Sequence, residues 1–144
     1  MIPSEVFLDT AFALALANAN DLLYVRATHL ADLLEADQTH LVTTRAVLLE
    51  IGNALAKLRY RSASAQLLTA LETDPNVEIV PLTEDLLERA LQLYRERPDK
   101  EWGLTDCTSF IVMQDRNITT ALTPDKHFIQ AGYRALLHDD TALR

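Results

Sequence analysis

Cysteine is reduced to a single residue, Cys107, and glycine to three in this 144-residue chain. A lone cysteine forms no internal disulfide, and no CxxC pair or Cys/His cluster at zinc spacing accompanies it. Neither is needed, because a chain this long buries roughly 68–70% of the surface its unfolded form exposes. Long apolar runs are missing too: nothing approaches the roughly 18 residues that span a bilayer. No basic region precedes an apolar stretch at the N-terminus, where the first charge is Glu5, so no secretory signal is expected. These absences predict a protein of the reducing cytoplasm with no membrane partner. Internal repeats and low-complexity segments are absent as well, and the length is that of one domain, 1–144.

What is present is a strand–helix alternation. Val6–Leu8 is a short apolar run ending at Asp9 and reads as a buried strand. Ala and Leu dominate residues 11–17, favouring a helix. From Asn20 to about Ala36, Leu23, Ala27, Leu30, Leu33 and Leu34 recur at helical spacing. His40–Thr44 predicts a second strand. Leu48, Ile51, Leu55 and Leu58 then mark a helix over Arg45–Arg59, and another spans Ala63–Leu71 before the turn signal Asp74-Pro75-Asn76. Val77–Leu82 reads as strand, and Thr83-Glu84-Asp85 caps a helix that buries Leu86, Leu87, Ala90, Leu91 and Tyr94. Arg97–Gly103 is a loop. Asp106 opens a further helix, Thr119–Leu122 is a strand, and Thr123-Pro124 predicts a cap followed by proline at the first helical position. Tyr133–Leu137 is a candidate last strand before a polar tail. This order implies a parallel sheet covered on both faces, an α/β sandwich.

In open parallel sheets, ligands gather beyond the carboxyl ends of the strands, near the point where strand order reverses. Asp9 ends a strand, Asp125 follows one, and Asp106 stands at a helix opening, so these three are placed to converge. Glu50 is a fourth candidate, on one helix face with Ala46, Asn53 and Lys57. Plainer readings exist for each. Asp106 and Asp125 also suit first-turn acids, and Glu50 an exposed helical glutamate. Asp9 is harder to dismiss, because an ionised carboxylate finishing an apolar strand loses water and needs compensation. His127, beside Phe128, reads as a structural residue rather than a general acid.

Four segments taken together resemble the PIN-domain ribonucleases: FLDT at Phe7–Thr10, TTRAVLLEIGNALAK at Thr43–Lys57, EWGLTDCTSFIVM at Glu101–Met113 and ALTPDKHFIQAGY at Ala121–Tyr133. Within that family the chain is most similar to VapC-type toxins of type II toxin–antitoxin pairs. The resemblance covers essentially the whole chain in the right order. It implies a three-layer α/β/α sandwich with a central parallel sheet, and an RNA-cutting site whose four acids fall on Asp9, Glu50, Asp106 and Asp125. Thr10 and Thr105 correspond to supporting hydroxyls beside the first and third acids. Two positions depart from the pattern: Ala11 and Gly103 stand where many relatives have serine or asparagine, and serine, respectively.

Such acids suit hard Mg²⁺ or Mn²⁺, which favour carboxylate oxygens and water. Asp9, Asp106 and Glu50 are the leading metal ligands, with Asp125 binding through water or orienting the nucleophile. The balance of 13 Lys/Arg against 21 Asp/Glu, net −8, is the wrong sign for a protein that coats nucleic acid. Bound cations would reverse that charge locally, and Lys57, Arg59 and Arg61 form a basic cluster whose plainer reading is a solvated helix end. The expected partners are an RNA substrate and a cognate antitoxin, whose tail would use an apolar groove on the segments between Ala11 and Leu34; a homodimer is left open. Two rivals are weaker. A phosphotransferase using Asp9 as nucleophile, of the haloacid-dehalogenase pattern, wants another Asp where Ala11 stands. A binding module that has lost activity would have lost an acid, and all four are present. A stand-alone RNA-processing nuclease is not separable from a toxin on these residues.

Overall fold

The computed structural model describes residues 2–138. Five parallel strands, β1 (Glu5–Leu8), β2 (His40–Thr44), β3 (Val77–Val80), β4 (Thr120–Leu122) and β5 (Arg134–Ala135), form one sheet in the order β3-β2-β1-β4-β5. The chain builds outward from β1 to β2 and β3, then returns to the other side of β1 to lay down β4 and β5. The reversal therefore lies between β1 and β4. Parallel strands buried on both faces read as continuous apolar runs, and Val6, Phe7, Leu8, Ala121 and Leu122 are all buried.

Seven helices flank the sheet: α1 (Thr10–Ala17), α2 (Tyr24–Ala36), α3 (Arg45–Ala54), α4 (Leu58–Thr73), α5 (Glu84–Glu96), α6 (Leu104–Arg116) and α7 (Lys126–Gln130). The result is the three-layer α/β/α sandwich expected. Helix α1 packs on α2 and α4, α5 on α6, and α3 touches both α1 and α6. Side-chain caps start several helices. Thr44 Oγ1 accepts the Val47 N–H at 3.1 Å, and Thr83 Oγ1 accepts that of Leu86 at 3.1 Å. Gly132, with φ +96°, makes the tight turn from α7 into β5, a backbone that other residues adopt at a cost.

Several boundaries differ from those predicted. The single helix over Arg45–Arg59 is two helices meeting at a corner: α3 ends at Ala54 and Lys57 is the residue before α4. Lys57 therefore leaves the face of Glu50, and Leu58, placed in the apolar stripe, is 91% exposed. Helix α2 begins at Tyr24, because the Asp21 carboxylate folds back to the Leu23 N–H in a local turn. Tyr94 lies on the exposed side of α5. Pro124 precedes the cap of α7 instead of following it, since the cap is Asp125, whose Oδ1 accepts the His127 N–H at 2.9 Å. The polar tail from residue 139 onward lies outside the described residues.

Candidate active site

Asp9 is the residue at which β1 becomes α1, and its side chain is buried. Thr43 Oγ1 donates to the Leu8 carbonyl at 2.8 Å, tying the end of β1 to β2. From the other neighbour, beyond β4, Thr123 Oγ1 donates to Asp9 Oδ2 at 2.8 Å. The same hydroxyl accepts the Asp125 N–H at 3.1 Å. One fully buried threonine thus links two of the predicted acids across the point where strand order reverses.

Asp106 arrives from α6. It is the third residue of that helix rather than its opening, and its Oδ2 accepts the Gly103 N–H at 3.1 Å. Gly103 caps α6 without a side chain, so the carboxylate bonding back to it takes over part of the capping role. Aromatic packing fixes α6 against α7. Phe110 meets Trp102 and Phe128 edge-on at 5.0 and 4.9 Å, and Trp102 Nε1 donates to Gln130 Oε1 at 3.1 Å. This clamp brings His127 Nδ1 to 3.1 Å from Asp106 Oδ2 and 3.4 Å from Asp125 Oδ2. One ligand atom from each of Asp106, Asp125 and His127 lies within 4.8 Å of the others.

Glu50 stands further out. It is exposed on α3 and lines a cleft of about 310 Å³ with Asn53, Leu104, Thr105 and Thr108. Its charge, with that of Asp106, acts on Asp9 to disfavour ionisation. Thr105 thus faces the cleft beside Asp106, while Thr10 Oγ1 is buried with no hydrogen-bond partner among the described residues.

Electrostatics follow from this packing. Burial drives the Asp9 carboxyl up to about 7, against the opposing hydrogen bonds from Thr123 and the Thr10 amide, and Asp106 and Glu50 add to the rise. Asp106 is also raised, by burial first and by Asp125, while the Gly103 N–H and His127 pull it down. Burial pushes the adjacent Cys107 thiol up to about 11, which removes it as a nucleophile. Oxygen donors predominate, as Mg²⁺ and Mn²⁺ require. The donor set therefore fits such an ion.

All four predicted acids border this region, three of them in direct or one-residue contact. Reading the sequence treated Thr123 as a helix cap and so missed its bond to Asp9, and it did not foresee that His127, read as structural, meets Asp106. The signal available was the run Thr123-Pro124-Asp125-Lys126-His127 directly after a strand.

A PIN domain family model matches residues 6–132. The chain belongs to the PIN-domain family. It is also 33% identical over 129 residues to the 23S rRNA-specific endonuclease VapC20 of two Mycobacterium tuberculosis strains, across 89% of this chain and 95% of the relative. The crystal structure of M. tuberculosis VapC20, described as a sarcin–ricin loop cleaving toxin, matches with a TM-score of 0.78 and 29% identity. That match covers 89% of this PIN-family chain and 95% of VapC20. The family resemblance read from the sequence and the α/β/α sandwich thus agree.

Proposed function

We propose that this chain is a metal-dependent endoribonuclease acting as the toxin of a VapBC-type pair. The supporting observation is that Asp9, Asp106 and Asp125 converge where strand order reverses, with no lysine or arginine paired to any of them among the described residues. Asp9, Asp106 and Asp125 would hold Mg²⁺ or Mn²⁺, with Glu50 on the cleft side. When bound, such an ion acidifies an attacking water and neutralises charge on the scissile phosphate.

The chain's own groups prepare that site. Thr123 donates to Oδ2 of Asp9 and, with the Thr10 amide, orients the carboxylate. The Gly103 N–H orients Asp106 in the same way. His127 Nδ1 lies beside both Asp106 and Asp125 and would hold them in register, the outer-shell role that tunes ligating carboxylates. Thr105 and Asn53 line the cleft through which an RNA strand would pass Glu50.

The toxin reading also draws on a groove of about 500 Å³ whose apolar part includes Phe12, Leu16, Ala31, Leu34 and Leu71, with Glu35 and Asp74 among its polar lining. It suits an antitoxin tail, which would act in the cytoplasm with the toxin; among the described residues no helix is long and apolar enough to cross a membrane. Purified protein incubated with RNA should cut it only with Mg²⁺ or Mn²⁺, and EDTA should stop the reaction. Production alone should arrest growth, relieved by the product of an adjacent short gene. Cleavage without growth arrest or a partner would favour a stand-alone RNA-processing nuclease.

A further inference from the structure

Cations in this molecule are unevenly matched. Arg45, Arg89, Arg97, Lys100 and Arg116 each lie within ion-pair distance of a carboxylate. Lys57, Arg59 and Arg61, at the corner between α3 and α4, are exposed and make no ion pair with a carboxylate among the described residues. The sequence isolates them: no acid occurs between Glu50 and Glu72, in a chain that carries 21.

These charges do little for the fold. Arg59 and Arg61 occupy the first turn of α4, where a cation opposes the helix dipole, and Lys57 before it provides no side-chain cap. Of the three side chains, only that of Arg61 makes a hydrogen bond among the described residues, to the Ala56 carbonyl at 3.1 Å. Arg59 instead lies over the Tyr60 ring, 4.8 Å from its centre, and Leu58 between the cations is 91% exposed. Cations beside an aromatic stack are what surfaces that track single-stranded nucleic acid use, charge for phosphates and flat groups for bases. The corner also follows the cleft-lining part of α3 directly in the chain. Glu50 and Asn53 line it, α3 ends at Ala54, and Lys57 follows three residues later. Helical rise and extended-chain length put the corner's backbone within roughly 17 Å of that of Glu50.

We propose that Lys57, Arg59 and Arg61, with the Arg59–Tyr60 stack, form a second RNA contact that grips phosphates beyond the cleavage point on the Glu50 side of the cleft. This rests on the ribonuclease reading above. The test variant is Lys57→Gln/Arg59→Gln, which keeps the Arg61 bond that closes the corner; Arg95→Gln, on α5, controls for the loss of positive charge. Full-length protein is assayed on a long RNA and on a tetranucleotide cut at the same site. For the long RNA, KM should rise at least tenfold with kcat unchanged, while tetranucleotide cleavage matches wild type. RNA binding, measured in an Asp106→Asn background, should lose about 1.4 from its log–log salt slope, at about 0.7 per phosphate contact on a single strand. Arg95→Gln should change neither. An unchanged KM and salt slope, or an equal loss on the tetranucleotide, overturns the proposal and leaves the nuclease reading standing. Absence of metal-dependent cleavage of any RNA by the wild type overturns both.

Discussion

Carboxylates at the surface of this molecule and carboxylates at its sheet reversal are handled in opposite ways. On the surface, Glu78 meets Arg116 and His40, and Asp115 meets Arg89 through two bonds of 2.7 Å. Guanidinium hydrogen bonds hold both carboxyls below their ordinary range. At the carboxyl ends of β1 and β4, burial instead lifts Asp9 and Asp106, and the partners are a hydroxyl, backbone amides and a histidine. An arginine would relieve either acid. Withholding one leaves a concentrated negative charge that a divalent cation can occupy. On the proposed function, the difference separates acids that serve stability from acids that would serve a ligand.

The sharpest way to break that comparison is to neutralise one acid of each kind. Asp106→Asn and Asp9→Asn should each lower metal-dependent RNA cleavage by at least about a hundredfold, since even outer-shell changes at metal sites cost roughly 10–100-fold. Both variants should remain folded. In metal-free buffer at pH 8, Asp9→Asn should melt level with wild type or a few degrees above it, because a buried charge is gone. Asp115→Asn should cut RNA at the wild-type rate. Calorimetry with matched activity assays would read all three, and an active Asp106→Asn protein would remove Asp106 from the site.

The two classes also predict opposite pH slopes. Asp9 is raised from 3.8 to about 7, so the folded state binds its proton more tightly than the unfolded state between those values. Its contribution is fully present below the unfolded value and is lost as pH rises through about 7. Metal-free protein should therefore lose stability on the order of a few kcal/mol over this window. Mg²⁺ or Mn²⁺ should bind more tightly over the same rise, because the ion takes the ionised carboxylate, and should restore the melting temperature. Denaturant titrations from pH 4 to 8, with and without metal, would show it. The same slope surviving in Asp9→Asn would assign the effect elsewhere.

A smaller effect should come from Thr123→Val, which keeps the shape and removes the hydroxyl. Asp9 then loses the hydrogen bond that favours its charged form, and the Asp125 N–H loses its acceptor. Apparent metal affinity at pH 7 should fall about tenfold, the size of an outer-shell loss, and recover in part at higher pH. Stability should fall by about 1–2 kcal/mol for the orphaned amide. Loss of affinity that stays constant with pH would mean that Thr123 positions Asp9 without tuning it.

Thr123 also shows where the sequence stopped being readable. Strand ends and helix caps are local, so Asp9 and the strands around it were legible from apolar runs and turn signals. The Asp9–Thr123 bond joins residues 114 apart in the chain and depends on β4 returning beside β1, which no local pattern encodes. The contact of His127 with Asp106 was hidden for the same reason: Asp106 comes from α6, held there by the Trp102–Phe110–Phe128 packing. The break between α3 and α4 was hidden by Leu55 and Leu58, which continue the 3–4 spacing through a corner. Glu50 stood as a candidate beside its plainer reading as an exposed helical glutamate, and only the family resemblance set it among the four acids, since nothing local separates the two.

The smallest expected effect is on the surface side. Glu78→Gln removes the carboxylate that bridges Arg116 on α6 to His40 on β2. Because the folded pKa of Glu78 lies below its ordinary value of 4.5, its contribution is present above that value and lost as pH falls. The side chain is 40% exposed, so solvent screens the pair, and its worth is about 0.2–1 kcal/mol. Thermal melts at pH 7 should drop by no more than a few degrees, the difference from wild type should close as pH falls below 4.5, and 1 M salt should shrink it. The metal-induced rise in melting temperature should be the same in both proteins. If Glu78→Gln reduced that rise as Asp9→Asn is expected to, the surface and buried acids would form one electrostatic system, and the division between stabilising and ligand-holding carboxylates would fail.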